Sequence, residues 1–321
     1  MTARMLPRTW CAALALMSGC VPRCGADTTP AHCEASSAET APAKSALGRK
    51  VWASIRRGPD DLTASGLLSE RQQRESATKE WKRFIAGLAS QDEPKLEAVW
   101  SATSQVPTPT KLACGDDAMV IERGPVDRMV MFYDKPGTPL SHRVTFVFDK
   151  KDDDYELILI AEYASRDRGK SAADYMTLGG QYAKVGSDID ALIAFMAAAE
   201  LSQEPPVVET AERRAILAKI ESFTKAEQLL SKELVARDDP YIELGVAAVS
   251  NAGIVPRVTF VTPAEGEATS VPARALGESF LAATRHVRQD YPLLFMSAIK
   301  DPARKSESVR TVIPLDSWRE P

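Results

Sequence analysis

The run from Val126 to Tyr163 constrains this chain most. It holds three segments dense in β-branched and aromatic residues: Val126 to Tyr133, His142 to Phe148 and Tyr155 to Tyr163. Lys135-Pro136-Gly137 and the charged run Lys150 to Asp154 separate them. Short apolar runs bounded by turn residues predict antiparallel strands joined by hairpins. A further strand, about Ala118 to Arg123, precedes the Gly124-Pro125 turn. Side chains alternate along a strand, so Val144, Phe146 and Phe148 share a face. In the last segment Tyr155, Leu157, Leu159 and Ala161 share one face, and Glu156, Ile158, Ile160 and Glu162 the other. Apolar residues on both faces predict a central strand covered on both sides.

Helical periodicity flanks this sheet. Ser45 to Arg57 is a candidate helix ended by Gly58-Pro59. Ser69 to Ala89 places Ala77, Trp81, Phe84, Ile85 and Leu88 on one helical face. Asp92-Glu93-Pro94 reads as the start of another helix, with Leu96, Val99 and Trp100 as its apolar face. Beyond Ser171, Asp174 to Gly186 holds three glycines and reads as broken helix or loop. Ser187-Asp188 can cap a helix through Ser202. Glu209 to Arg237 is a long helical stretch that a capping box at Thr224 to Glu227 would divide. Ala273 to Ile299 reads as helix, broken or kinked at Pro292. Pro256 to Thr262 and Ser308 to Leu315 read as strands. Arg143 to Val147 recurs as Arg257 to Val261, which allows a degenerate repeat, although so short an apolar strand recurs by chance more readily. The expected class is α+β. A helix-covered antiparallel meander occupies residues 45–165, and a mainly helical region with one or two further strands occupies 171–321.

The N-terminal region speaks to address. Arg4 and Arg8 precede the apolar run Trp10 to Met17, which is too short to cross a membrane and has the layout of an export signal. Leu16-Met17-Ser18-Gly19-Cys20 is similar to the lipobox of bacterial lipoproteins. That resemblance implies a signal over residues 1–19, lipidation of Cys20 and attachment to a membrane through the lipid. The alternative is ordinary cleavage after Ala26, giving a soluble periplasmic or secreted protein. Residues 20–44 are rich in Ala, Thr, Ser and Pro and read as a flexible tether. Both routes retain Cys33 and Cys114, which are expected to pair as a disulfide in an oxidising, periplasm-facing compartment of the cell envelope.

A helix, a second helix after Asp92-Glu93-Pro94, then a curved antiparallel sheet resembles the cone-shaped nuclear-transport-factor-like fold. The resemblance spans about Ser69 to Tyr163 and includes the run Phe84 to Asp92. It implies opening helices over the concave face of the sheet. That fold hosts both enzymes and binding modules, so it leaves function open.

The 321 residues carry a formal net charge of −4, which gives no nucleic-acid footprint. No catalytic, metal or cofactor residue is assigned. Gly277-Glu278-Ser279-Phe280 lacks the second glycine of a nucleophile elbow, and Gly179-Gly180-Gln181-Tyr182 is no phosphate loop. His32, His142 and His286 are far apart and lack metal spacing. The run Asp149 to Glu156 contains two lysines and no glycine, so it reads as a solvated hairpin tip and not a calcium loop. Asp152, Asp153 and Asp154 are its candidate surface for a basic protein partner. The expected role is a protein-binding module of the envelope, of the immunity-lipoprotein or assembly-accessory kind. The rival is an enzyme or small-ligand binder using the concave face near Phe132, Phe146, Phe148 and Leu159, with His142 or Glu162 as its polar group. A filled interior favours the first reading; a deep polar pocket favours the second.

Overall fold

The computed structural model describes residues 31–37, 42–89, 94–105, 109–122, 126–223, 225, 242–262, 270–299 and 309–315. Cys20 with the rest of the signal region, and Thr224 of the proposed capping box, lie outside these residues. In chain order the first half comprises β1 (His32–Ser37), α1 (Pro42–Arg57), α2 (Pro59–Ala64), α3 (Glu70–Glu75), α4 (Lys79–Ala89), β2 (Lys95–Ser104), β3 (Thr110–Cys114), β4 (Asp117–Ile121), β5 (Val126–Lys135), β6 (Leu140–Lys151) and β7 (Asp154–Asp167). The second half comprises α5 (Ala172–Lys184), α6 (Asp188–Leu201), β8 (Val208–Glu209), α7 (Ala211–Ser222), β9 (Ile242–Val249), β10 (Gly253–Val261), α8 (Ser270–Ala283), α9 (Val287–Asp290), β11 (Leu293–Ile299) and β12 (Val309–Pro314). The class is α+β.

The first half is built on a five-stranded sheet in the order β1-β2-β5-β6-β7, antiparallel throughout. One face carries α1, α2 and α4. Trp52, Ile55, Leu62, Trp81, Ile85 and Leu88 pack there against Met131, Tyr133, Val144, Phe146, Phe148 and Leu157. The other face carries the small sheet β3-β4-β8, whose Leu112, Met119, Ile121 and Val208 pack on Trp100, Val130, Phe132 and Val147. Burial of apolar side chains on both faces is the main force holding these layers together.

The second half has its own sheet, ordered β12-β11-β10-β9. β10 and β11 run parallel, with α8 and α9 in the connection between them, as a parallel pair requires. This is more strand than the one or two read from the sequence. α6 is buried on almost every side, including Ala191, Leu192, Ile193, Ala194, Phe195, Ala197 and Ala198. Its core also takes in Leu140 and Ala164 from the first half, and β8 pairs with β4. The two halves therefore share packing.

Several sequence expectations are corrected. Residues 32–37, within the expected tether, form β1. The segment after Asp92-Glu93-Pro94 is β2 and not a helix; its bulge between Leu96 and Ala98 breaks the alternation that would have marked a strand. Ser69 to Ala89 is two helices, α3 and α4, parted at Ser76 to Thr78. Asp174 to Gly186 is mostly the continuous helix α5, and Gly179 serves close packing within it, since a Cβ there would sit 2.5 Å from the Phe195 ring. Residues 293–299 are β11. Finally, β7 is an edge strand, not a central one. Leu67 accepts from and Leu157 donates to a backbone bond of 2.7 Å, and Ser69 N donates to Leu157 O at 3.0 Å, so the loop before α3 covers part of that edge.

Candidate functional site

The β6–β7 hairpin carries the acidic run to the surface. Lys151 pairs with Asp154, leaving Asp152 and Asp153 as the turn, and Asp152 takes φ +54°, a left-handed conformation that Asp tolerates better than most residues. Asp149, the first acid of the run, is held at the base. The buried Arg128 guanidinium donates to both its carboxylate oxygens, at 2.6 and 2.8 Å. Asp152, Asp153 and Asp154 are exposed. They line an open cleft of about 670 Å³, with Lys151, Tyr155 and Glu156 on the same wall and Leu47 and Lys50 of α1, Gly66 and Leu67 opposite. A second hollow of about 490 Å³ shares Lys50 and Leu67 and runs along α1 past Ser54, Arg57 and Asp61.

The charges along this groove are partly neutralised. Arg57 pairs with Asp61 at 2.8 Å, and Lys151 with Glu156 at 3.0 Å. The hydrogen bond that Lys151 donates to Glu156, followed by the charge of that carboxylate, raises the Lys151 ammonium above its ordinary value. Tyr155 donates to Asp127 at 3.3 Å, and burial, with that carboxylate, pushes its hydroxyl up to about 12. It is a neutral donor near pH 7. The remaining exposed carboxylates at the hairpin tip can exchange water for a cationic partner.

Two further polar clusters lie elsewhere. On the helix-bearing side of the sheet, the buried Lys135 ammonium donates to Glu162, and His142 Nδ1 lies 3.5 Å from the same carboxylate oxygen. Burial holds His142 below its ordinary value; Glu162 opposes this and Lys135 reinforces it. The second cluster was not read from the sequence. Asp167, at the end of β7, is fully buried and accepts from Tyr175 Oη at 2.5 Å and from Arg168 at 2.6 Å. Arg168 also reaches Ile254 O at 3.4 Å. Tyr182 donates to Asp290 and stacks on His286 at 4.4 Å between ring centres. Burial and the Asp167 and Asp290 carboxylates raise both tyrosine hydroxyls well above their ordinary values. The sequence signal for this cluster was the Asp167-Arg168-Gly169-Lys170 turn, but its partners lie far along the chain.

Of the sequence-assigned residues, Cys33 and Cys114 are brought together as a disulfide, with Cα atoms 5.1 Å apart. His142 and Glu162 converge, whereas His286 belongs to the second half. The four residues assigned to one concave surface do not share a face. Phe146 and Phe148 lie under the helices; Phe132 and Leu159 lie on the β3-β4-β8 side. Phe132 pairs with Thr145, one residue from Phe146, which sets it on the opposite face. For Leu159 the cause is a register shift opposite Val147 and Phe148 that places Ile158 as an extra residue in β7. Such a bulge reverses the alternation beyond it. Among the described residues no group of three or more His, Cys, Asp or Glu side chains is arranged to hold a metal ion. Comparisons with protein-family models, curated proteins and solved structures find no match.

Proposed function

We infer that the chain is an envelope protein, attached to the membrane through a lipid on Cys20, and that its body binds a protein partner at the hairpin cleft. The partner is basic where it meets Asp152, Asp153 and Asp154. The observation carrying this reading is the filled helix-bearing face. Trp52 lies 5.1 Å from Phe146 and 5.6 Å from Tyr133 between ring centres, and all three rings are buried. A face packed in this way supports a module that works from its outer surface. The Cys33–Cys114 disulfide supports an oxidising address.

The test is recovery of a stoichiometric partner from cross-linked envelope fractions, comparing the native protein with an Asp152→Lys, Asp153→Lys, Asp154→Lys variant. Reversing three rim charges is expected to reduce recovery about tenfold or more and to slow association at low salt. Equal recovery with both proteins would remove the hairpin from the interface.

A second reading has one observation in its favour: Lys135, Glu162 and His142 converge on the helix-bearing side. If that cluster serves a small ligand, Glu162→Gln abolishes ligand-induced thermal stabilisation and leaves partner recovery unchanged.

A further inference from the structure

We propose that β1 is a disulfide-gated strap: the oxidised Cys33–Cys114 bond holds it on the sheet, and reduction by a dithiol releases it while the rest of the fold persists. Three observations carry this. First, the sequence His-Cys-Glu-Ala-Ser-Ser has little preference for a strand, which is why it reads as tether. Second, β1 buries almost nothing. Four of its six residues are exposed, and only Cys33 and Ser36 are half-buried. Among its ties to the sheet are the ladder with β2, running from His32↔Thr103 to Ser37↔Ala98, a 3.1 Å bond from Ser36 Oγ to Val99 O, and the packing of Cys33 against the core. Third, the covalent tie goes to an element with independent support. Cys114 is buried at the end of β3, which pairs with β4 along its length and packs through Leu112 on the core. Cutting the bond therefore removes a main restraint from β1 and leaves β3 in place.

The reaction balances as ordinary thiol–disulfide exchange. A thiolate of the reductant attacks one sulfur and the other leaves as a thiolate, giving a mixed disulfide. The second thiol of the reductant then displaces the protein sulfur. Two protons and two electrons end on Cys33 and Cys114, and the reductant becomes its own disulfide. Release bares the backbone edge of β2 from Ala98 to Thr103. It also adds residues 32–37, about 20 Å of extended chain, to the segment leading into α1. β1 thus fixes where the incoming chain is fastened, in a way that depends on the redox state around it.

The experiment is hydrogen–deuterium exchange on the full mature protein, oxidised and then treated with dithiothreitol, with β5 and β6 as internal reference. A Cys33→Ser, Cys114→Ser variant is measured beside it. The expected result is exchange at residues 32–37 and along the β2 edge that is faster by about tenfold or more after reduction, with β5 and β6 unchanged. Undiminished protection of residues 32–37 after complete reduction overturns the proposal. So does loss of protection throughout β5 and β6, which would make the disulfide a support of the whole fold and not a gate.

Discussion

Gly253 and Asp167 show how closely the two halves are fitted at single residues. Gly253 has φ +81°, and a Cβ there would lie 2.1 Å from Asp167 Oδ1. Asp167 has little freedom to retreat, being held by Tyr175 and Arg168. Gly253→Ala is therefore expected to cost about 2 to 4 kcal/mol, from left-handed strain and displacement of a buried carboxylate. Gly180, inside α5, has ordinary helical φ and open space around its Cα. Gly180→Ala is expected to stabilise by about 0.5 to 1 kcal/mol. Urea unfolding of the two variants checks both signs. His142 supplies a pH dependence. Burial holds it below its ordinary value in the fold, and unfolding returns it to about 6.5. As pH falls through that value the unfolded chain takes up a proton that the folded chain resists, so stability is full above it and declines below. Between about pH 7.5 and about pH 5.5 the urea midpoint of His142→Gln is expected to fall less than that of the parent protein. Equal declines would show that this histidine contributes nothing to the slope.

Among elements, the seating of α1 on the sheet is the contact that fills the helix-bearing face. Gly48 makes it possible: a Cβ there would lie 1.8 Å from Tyr133 Oη and 2.9 Å from Met131 Sδ. Tyr133 cannot swing aside, because its ring is wedged against Trp52 and Phe146. Gly48→Ala is expected to destabilise by about 1 to 3 kcal/mol despite the better helix propensity of alanine. An unchanged thermal midpoint would mean that α1 can lift without loss. The elements that were legible in the sequence share a property. β4 to β7 are bounded by turn chemistry, and α1 and α4 carry an amphipathic stripe. Those that were misread lack a local signature. In β2, Leu96, Val99 and Trp100 fall at helical spacing because a bulge interrupts the strand period. β11, Leu-Leu-Phe-Met-Ser-Ala-Ile, is apolar on both faces, and such a run has no period to separate strand from helix. β1 has no apolar pattern at all. Its place depends on a bond to a cysteine 81 residues away. The candidate site divides in the same way. The hairpin tip follows from local composition, whereas the wall opposite it, from α1 and the Gly66–Leu67 loop, is set by tertiary packing.

At the scale of the molecule, the sheets of the two halves and their helices are joined by several kinds of contact, strand pairing, apolar packing and polar bonds among them. β8 adds to β4, Leu140 and Ala164 enter the second core, and Arg168 reaches Ile254 O. The body built in this way presents its charged groove outward, while β1 leads back toward the N-terminal region. In the proposed function that region carries the lipid, and the Cys33–Cys114 bond belongs to an oxidising compartment. Both features are read together in one measurement: the intact mass of the protein from its native membrane fraction, alkylated without reduction. The predicted result is a chain beginning at Cys20 with a diacylglycerol-type mass increase and no alkylation at Cys33 or Cys114. An unprocessed chain recovered from the cytosol, with both thiols alkylated, would contradict the envelope address and the partner-binding role that depends on it.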